Sequence, residues 1–362
     1  MNEPRIWSLA SVMIDQTIEV PHYPGRGSAV LATTCRYEVG GGFNLASAVA
    51  RQGAACNYGG TYGVGRNSEL ALRAMAAEGI EVVLAPDERG DGGVCLIIVD
   101  PDGERTFIPV AGVESQRRLD QLTALPIVDE DWVSISGYDL NFPVSGESIH
   151  QWLQGDPAGR LFLDPGPVVA DIPAERMRTV LDRIEVLSCN QHEAQLLCGC
   201  DDTGANLVAR VRAEVEMNPD AMVIVREGPR GCVATGGELG KRIVSVAAPQ
   251  VRAVDTVGAG DTHCGVFLAR MVQGADVEEA LGEANAAAAD SVTRRGPATA
   301  PTPGVMRMAL VRLAPDRRLV LEGATQPRCE SFPGKERIWG KEQMSRSVSA
   351  RLVCWVAQAG AG

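Results

Sequence analysis

Apolar residues in this chain fall into short blocks, separated by longer stretches in which they recur every three or four positions. The blocks at 6–14, Trp132–Ser136, 161–164, 184–188 and Met222–Arg226 read as strands buried on both faces. Helical spacing appears at 44–52, 68–78, 147–153, Ala174–Leu181, 193–197, 207–216, 264–272 and 277–293, with Gly53 and Gly79 as stops. Strands alternating with helices predict an α/β fold: a doubly wound, mostly parallel sheet flanked by helices and joined by right-handed crossovers. Two segments break the rhythm. Residues 93–99 and Arg105–Val110 flank Asp100-Pro101-Asp102-Gly103, a hairpin signal, and 17–37 carries short extended pieces. Segments at about 16–38 and 92–112 therefore predict a small β-sheet lid on a domain spanning 1–303. Beyond it the periodicity fades and the charge reverses, with ten Lys or Arg against five Asp or Glu over 305–362. Residues 304–362 read as a poorly ordered C-terminal tail.

Composition narrows the function. With 45% hydrophobic and 22% charged residues among 362, the chain reads as a soluble globular protein, and at 4% aromatics its core rests on Val, Leu, Ile and Ala. A net charge of −12 argues against a general nucleic-acid or anionic-membrane surface, so an anionic ligand needs a local site of amides and arginines. Ten irregularly spaced cysteines without a CxxC pair, and four scattered histidines, suggest reduced thiols and no metal cluster. The N-terminus is too weakly apolar for a signal peptide, and no apolar run reaches about 18 residues. The expectation is a cytoplasmic protein without nucleic-acid or membrane partners.

The most informative stretch is 254–263, where a glycine-punctuated turn ends in Asp261 and enters an apolar helix. N–H groups at a helix N-terminus lack intrahelical partners and attract anions, and Gly258 and Gly260 let a phosphate approach them. Asp261 beside that site can take the proton of an attacking hydroxyl. Asp255-Thr256-Val257-Gly258-Ala259-Gly260-Asp261 resembles the C-terminal signature of the ribokinase-like (PfkB) family of sugar and nucleoside kinases. The resemblance implies Asp261 as catalytic base and Gly258, Ala259 and Gly260 as anion hole.

Further segments agree with it. Asp15, followed by Gly40-Gly41-Gly42-Phe43-Asn44, resembles the family's N-terminal pattern, which implies that Asp15, Gly40, Gly41 and Asn44 bind the sugar hydroxyls. Asn190-Gln191-His192-Glu193 resembles its NxxE element, with Asn190 toward the nucleotide phosphates and Glu193 organising Mg²⁺ through water. Arg226-Glu227-Gly228-Pro229-Arg230-Gly231 is similar to the turn that lies along ATP. There Gly228 and Gly231 match, while Arg226 and Glu227 replace a small and an apolar residue. Asn285 corresponds to a residue near the adenine, and Asp255, the Val257 carbonyl, Ser291, Arg294 and Gly296 correspond to a potassium loop. Asn141 or Asp139, just after a strand, is a further candidate for substrate contact, and His263 for support of the base or plain helix packing.

Taken together, the resemblance implies a ribokinase-like kinase that uses ATP, Mg²⁺ and K⁺ on a sugar hydroxyl and pairs through its lid as a homodimer. A nucleoside kinase of the adenosine or pseudouridine type is the alternative, disfavoured by few aromatics (Tyr37, Phe43) near the N-terminal motif. A non-catalytic sugar or nucleotide sensor is a second, but a sensor needs no base. No GxGxxG follows the first strand and no GxxxxGK[ST] occurs, which counts against a dinucleotide oxidoreductase and a P-loop kinase.

Overall fold

The computed structural model describes residues 3–304 and 319–321. In chain order, β1 (Ile6–Ser8) is followed by β2 (Val12–Glu19), β3 (Thr34–Gly41), α1 (Gly42–Arg51), β4 (Cys56–Tyr58), α2 (Arg66–Ala77) and β5 (Glu81–Val82). Next come β6 (Val94–Val99), β7 (Arg105–Val110), α3 (Leu119–Thr123), β8 (Trp132–Ser136), α4 (Gly137–Asn141), α5 (Pro143–Gln154), β9 (Arg160–Asp164) and α6 (Ala174–Leu181). The rest are β10 (Ile184–Asn190), α7 (Gln191–Cys198), α8 (Gly204–Glu214), β11 (Met222–Arg226), β12 (Cys232–Gly236), β13 (Ile243–Val246), α9 (Ala259–Val272), α10 (Val277–Ser291) and β14 (Leu319–Leu321).

A ten-stranded sheet runs β14-β13-β12-β11-β10-β9-β8-β1-β4-β5. All pairs from β11 to β5 are parallel, and the β11–β12, β12–β13 and β13–β14 pairs are antiparallel. Its central parallel strands are mostly apolar because both faces are covered. In β11, Met222 and Ile224 pack with Phe267, Leu281 and Val49 on one face, while Val223 and Val225 pack with Leu207, Val211 and Leu197 on the other. The antiparallel end over 232–246 escapes a reading by apolar blocks. Its strands are short and partly built from Gly, Ala, Ser and Thr, which carry little β signal.

The smaller sheet has the order β3-β2-β6-β7, with the expected hairpin closed by hydrogen bonds between Asp100 and Glu104 and between Gly103 and Asp100. β2 and β3 reach beyond the segment expected at 16–38, whereas β6 and β7 lie inside that expected at 92–112. The apolar block at 6–14 is not one strand. After β1 the Leu9 carbonyl accepts a hydrogen bond from the buried Arg117, and the Ser11 amide and hydroxyl both donate to Asp139. These bonds take the backbone out of the large-sheet ladder and redirect it into the small sheet as β2. Asp15 consequently lies in the middle of a small-sheet strand, opposite Glu38, rather than at the end of strand one. The expected tail at 304–362 lies, except for Gly304 and β14, outside the described residues.

One contact between helices positions the site. A Cβ at Gly265 would fall 2.6 Å from the Leu45 carbonyl oxygen and 2.7 Å from the Ala48 methyl, so α9 can lie this close to α1 only because that position is glycine. The Ala46 and Ala48 side chains, both fully buried, make α1 equally slim.

Candidate active site

The carboxyl ends of β9 and β11 and the start of α7 meet the first turn of α9, with Asp15 of β2 close to Asp261. An open α/β sheet places ligands at these strand ends, because helix N-termini and loops converge there. Asp261 occupies the first turn of α9. Its Oδ2 accepts a hydrogen bond of 3.1 Å from Nδ2 of Asn44 on α1, a link between residues 217 apart in sequence. Burial, then the neighbouring Asp164 carboxylate, push the Asp261 carboxyl up to about 6, while the Asn44 amide and Arg226 act in the opposite direction.

Gly258 caps α9 at φ 74°, a left-handed conformation that glycine adopts freely, and a Cβ there would sit 2.0 Å from the Pro297 carbonyl oxygen. The Thr262 amide bonds back to the Gly258 carbonyl at 2.8 Å and the Ala259 amide to that of Thr256 at 3.3 Å. The N–H groups of Gly258, Gly260 and Asp261 take no backbone acceptor among the described residues. Orphan donors at the positive end of a fourteen-residue helix suit a phosphoryl oxygen. Of the three expected amides, that of Ala259 is partly engaged, and Asp261 adds its own.

On the small sheet, Gly40 backs directly onto the Asp15 carboxylate, and Gly41 ends β3 where α1 begins. Asp15 is 8% exposed, and burial followed by the charges of Glu38 and Asp261 raises it to about 7. Asp15, Gly40, Gly41, Asn44 and Asp261 thus form one neighbourhood. Asn141 ends α4, partly buried. Asp139 does not belong to this group: it is fully buried, bonded to Ser11 and 3.5 Å from Arg117. The adjacent Tyr138 is exposed instead, close enough to Cys95 and Asp261 for their charges to add to burial in raising its phenol.

Asn190 and Glu193 form a reciprocal capping box on α7: Asn190 Oδ1 accepts from the Glu193 amide at 2.9 Å, and Glu193 Oε2 from the Asn190 amide at 2.7 Å. Burial and then Asp164 raise the Glu193 carboxyl. Arg226 is not turned outward to a nucleotide. Its guanidinium grips Asp164 bidentately (Nη1–Oδ2 2.7 Å, Nη2–Oδ1 3.2 Å), donates to the Gly260 carbonyl at 3.2 Å and lies 3.6 Å from Glu193. One buried arginine thus joins the ends of β9 and β11 and the first turn of α7 to the first turn of α9. Gly228 and Gly231 bracket the short turn after β11. Asn285 is buried on α10 and gives its amide to the Val246 carbonyl at 2.8 Å, a bond that secures β13. His263 is buried beside Asn285 and Arg226, and burial pushes its imidazole down to about 3, so it is neutral.

In the expected potassium loop, protein donors take up the charged ligand and part of the carbonyls. Asp255 Oδ1 accepts from the Val257 amide at 3.0 Å and from Arg105 Nη2 at 2.9 Å, and Oδ2 from the Gly296 amide at 3.1 Å. The Ser291 carbonyl already takes the Arg294 amide and the Thr299 hydroxyl, each at 3.1 Å, and the Arg294 side chain is bonded to Asp290 and to the Thr299 carbonyl. Potassium coordination requires free oxygen lone pairs. Here donors occupy the Asp255 carboxylate and the Ser291 carbonyl, while the Val257, Arg294 and Gly296 carbonyls accept no hydrogen bond among the described residues. Glu193 and Asp164 are carboxylates near the first turn of α9, with the Glu193 oxygens bonded by Asn190 and the Asp164 oxygens by Arg226, so either would reach a Mg²⁺ ion through water rather than directly.

Three residues of this site were not singled out from the sequence: Asp164, Arg105 and Glu38. Asp164 carried a usable signal, as a carboxylate at the end of an apolar block directly before Pro165-Gly166. Arg105 and Glu38 carried none, since only the folded small sheet brings them here.

Residues 4–303 match the family described as pfkB family carbohydrate kinase. The chain is 30% identical over 295 residues to the uncharacterized sugar kinase YegV of Escherichia coli (strain K12), covering 81% of this chain and 90% of the relative. It is 25% identical over 293 residues to a ribokinase of Haemophilus influenzae, covering 80% and 92%. Among solved structures, ribokinase from Giardia lamblia superposes with a TM-score of 0.72 at 21% identity, covering 86% of this chain and 100% of that one. Arabidopsis thaliana ribokinase complexed with ribose and ATP gives 0.67 at 24%, covering 85% and 99%. At these identities the structural likenesses establish a ribokinase-like fold.

Proposed function

The chain belongs to the pfkB family of carbohydrate kinases and is a sugar kinase; from that premise we propose that it transfers the γ-phosphoryl group of ATP to a hydroxyl of a small sugar, with Asp261 as base. The observation that carries this reading is the placement of Asp261: a carboxyl raised to about 6, held by Asn44, beside Asp15 and at a helix N-terminus with orphan donors. A base with that affinity is ionised at neutral pH and still accepts a proton readily. Asp15 and Asn44 hold the acceptor, with Gly40 and Gly41 close to its hydroxyls. The Asp261 carboxylate takes the hydroxyl proton as the oxygen forms its bond to the γ-phosphorus. The bond from that phosphorus to the bridging oxygen breaks, and its electron pair leaves with ADP. The amides of Gly258, Gly260 and Asp261 stabilise the charge spread over the transferred group. Glu193 and Asp164 would hold Mg²⁺ through water, and the ion supplies charge neutralisation at the phosphates. Arg226 fixes Asp164 and the Gly260 turn to each other, so the base and the amides keep their relative position.

In this reading residues 1–303 form the kinase unit of a cytoplasmic protein, and the smaller sheet is a lid that excludes water from the transfer. Its edge strand β7 exposes Phe107 at 53% and Val110 at 51%, with Pro109 tolerated because an edge residue needs no ladder donor. An uncovered apolar edge supports a homodimer formed lid to lid. The defining experiment is release of ADP from Mg-ATP across a panel of pentoses, hexoses, sugar acids and nucleosides. Sugar-dependent turnover is expected; turnover with nucleosides alone would overturn the assignment of the acceptor.

A further inference from the structure

Asp255 stands three residues before Gly258, and its carboxylate is the centre of a small knot. It accepts the Val257 amide at 3.0 Å from the turn itself and the Gly296 amide at 3.1 Å from the segment after α10. Its remaining strong partner comes from the other sheet: Arg105, at the start of β7, places Nη2 2.9 Å from Oδ1. The pair is sheltered, with the Arg105 side chain 27% and the Asp255 side chain 12% exposed. A carboxylate so enclosed needs a positive charge nearby, and the guanidinium is that charge. Two neighbouring carbonyls are also occupied, Ser291 by two donors and Val292 by the amides of Val254 and Asp255, so the guanidinium is the positive charge that Asp255 meets. The Val257, Arg294 and Gly296 carbonyls accept no hydrogen bond among the described residues.

We propose that Arg105 is a built-in cation for the phosphate-binding turn, so that the protein orders this turn without a bound monovalent ion. Arg105 acts as a positioning residue: it touches neither transferred phosphorus nor acceptor, but holds Asp255, which holds Val257 at the root of the Gly258 turn. Because Arg105 belongs to the smaller sheet, the same ion pair fastens that sheet to the turn. The inference rests on the reading of the α9 N-terminus as a phosphate site.

The test is calorimetric binding of ADP with Mg²⁺ to the full chain, in tetramethylammonium, sodium and potassium chloride at equal ionic strength. The intact protein is expected to bind ADP within about twofold in all three, since no ion is needed. Arg105→Met should bind on the order of tenfold more weakly in tetramethylammonium, the weight of a charge-assisted bond. It should regain affinity in potassium, and Arg105→Lys should lie between the two. The proposal is overturned if the intact protein binds ADP at least about tenfold better in potassium than in tetramethylammonium. It is equally overturned if Arg105→Met matches the intact protein in every salt. Failure of the intact protein to bind ADP in any salt would instead remove the phosphate site on which the inference stands. The cation series on the intact protein needs no substitution, so the test survives a variant that misfolds.

Discussion

At the scale of single residues, the proposed function rests on carboxylates whose proton affinity is raised by burial and neighbouring charges. Burial first, then Asp164, lift Asp261 to about 6 from its ordinary 3.8, and burial, Glu38 and Asp261 lift Asp15 to about 7. Turnover should therefore fall about tenfold per pH unit below an apparent value near 6, as the base becomes protonated. A pH–rate profile checks this, and the acid limb should vanish in the residual activity of Asp261→Asn. Stability should move the other way. A carboxyl whose folded value is raised contributes its stabilisation fully below the unfolded value and loses it as pH rises through the folded one. The melting temperature of the ligand-free protein should thus decline between about pH 4 and 7, less steeply in Asp261→Asn. That Asp261, Asp15 and Asn44 belong to one site was legible because their motifs are local strings. Arg226 was legible as a position but not in its contacts, since its partner Asp164 lies 62 residues away.

At the scale of elements, the decisive piece is the turn into α9. Its geometry depends on Gly258, whose φ of 74° and contact with the Pro297 carbonyl leave no room for a side chain. Gly258→Ala should cost about 1–2 kcal/mol in backbone strain and displace the orphan amides. The expected outcome is a kcat lowered by more than about tenfold with a smaller change in KM for the sugar, read from steady-state kinetics beside a thermal melt. The glycines and the following apolar run announced this element in the sequence. The division of 6–14 into β1 and β2 could not be announced, because the partners that turn the chain, Asp139 and Arg117, lie more than a hundred residues downstream. The strands β12 and β13 were missed for a different reason: their residues are small and weakly patterned.

At the scale of the whole molecule, the large parallel sheet was legible from the alternation of apolar blocks with helical spacing, and the smaller sheet from a hairpin signal that broke it. How the two sheets meet was not legible. Their meeting depends on Arg105 reaching Asp255 across 150 residues and on Asn44 reaching Asp261 across 217. The exposed apolar edge of β7 belongs to this scale as well. Sedimentation equilibrium should give twice the 38.3 kDa chain mass, and charged substitutions at Phe107 and Val110 should return the monomer. The central claim is that a sugar kinase's transfer step turns on the Asp261 carboxylate. Its most direct test is sugar-dependent ADP release by the intact protein and by Asp261→Asn, with ADP affinity measured in both. The account predicts unchanged ADP binding and turnover reduced by on the order of 10²–10⁴ in the variant. Near-normal turnover in Asp261→Asn would contradict it.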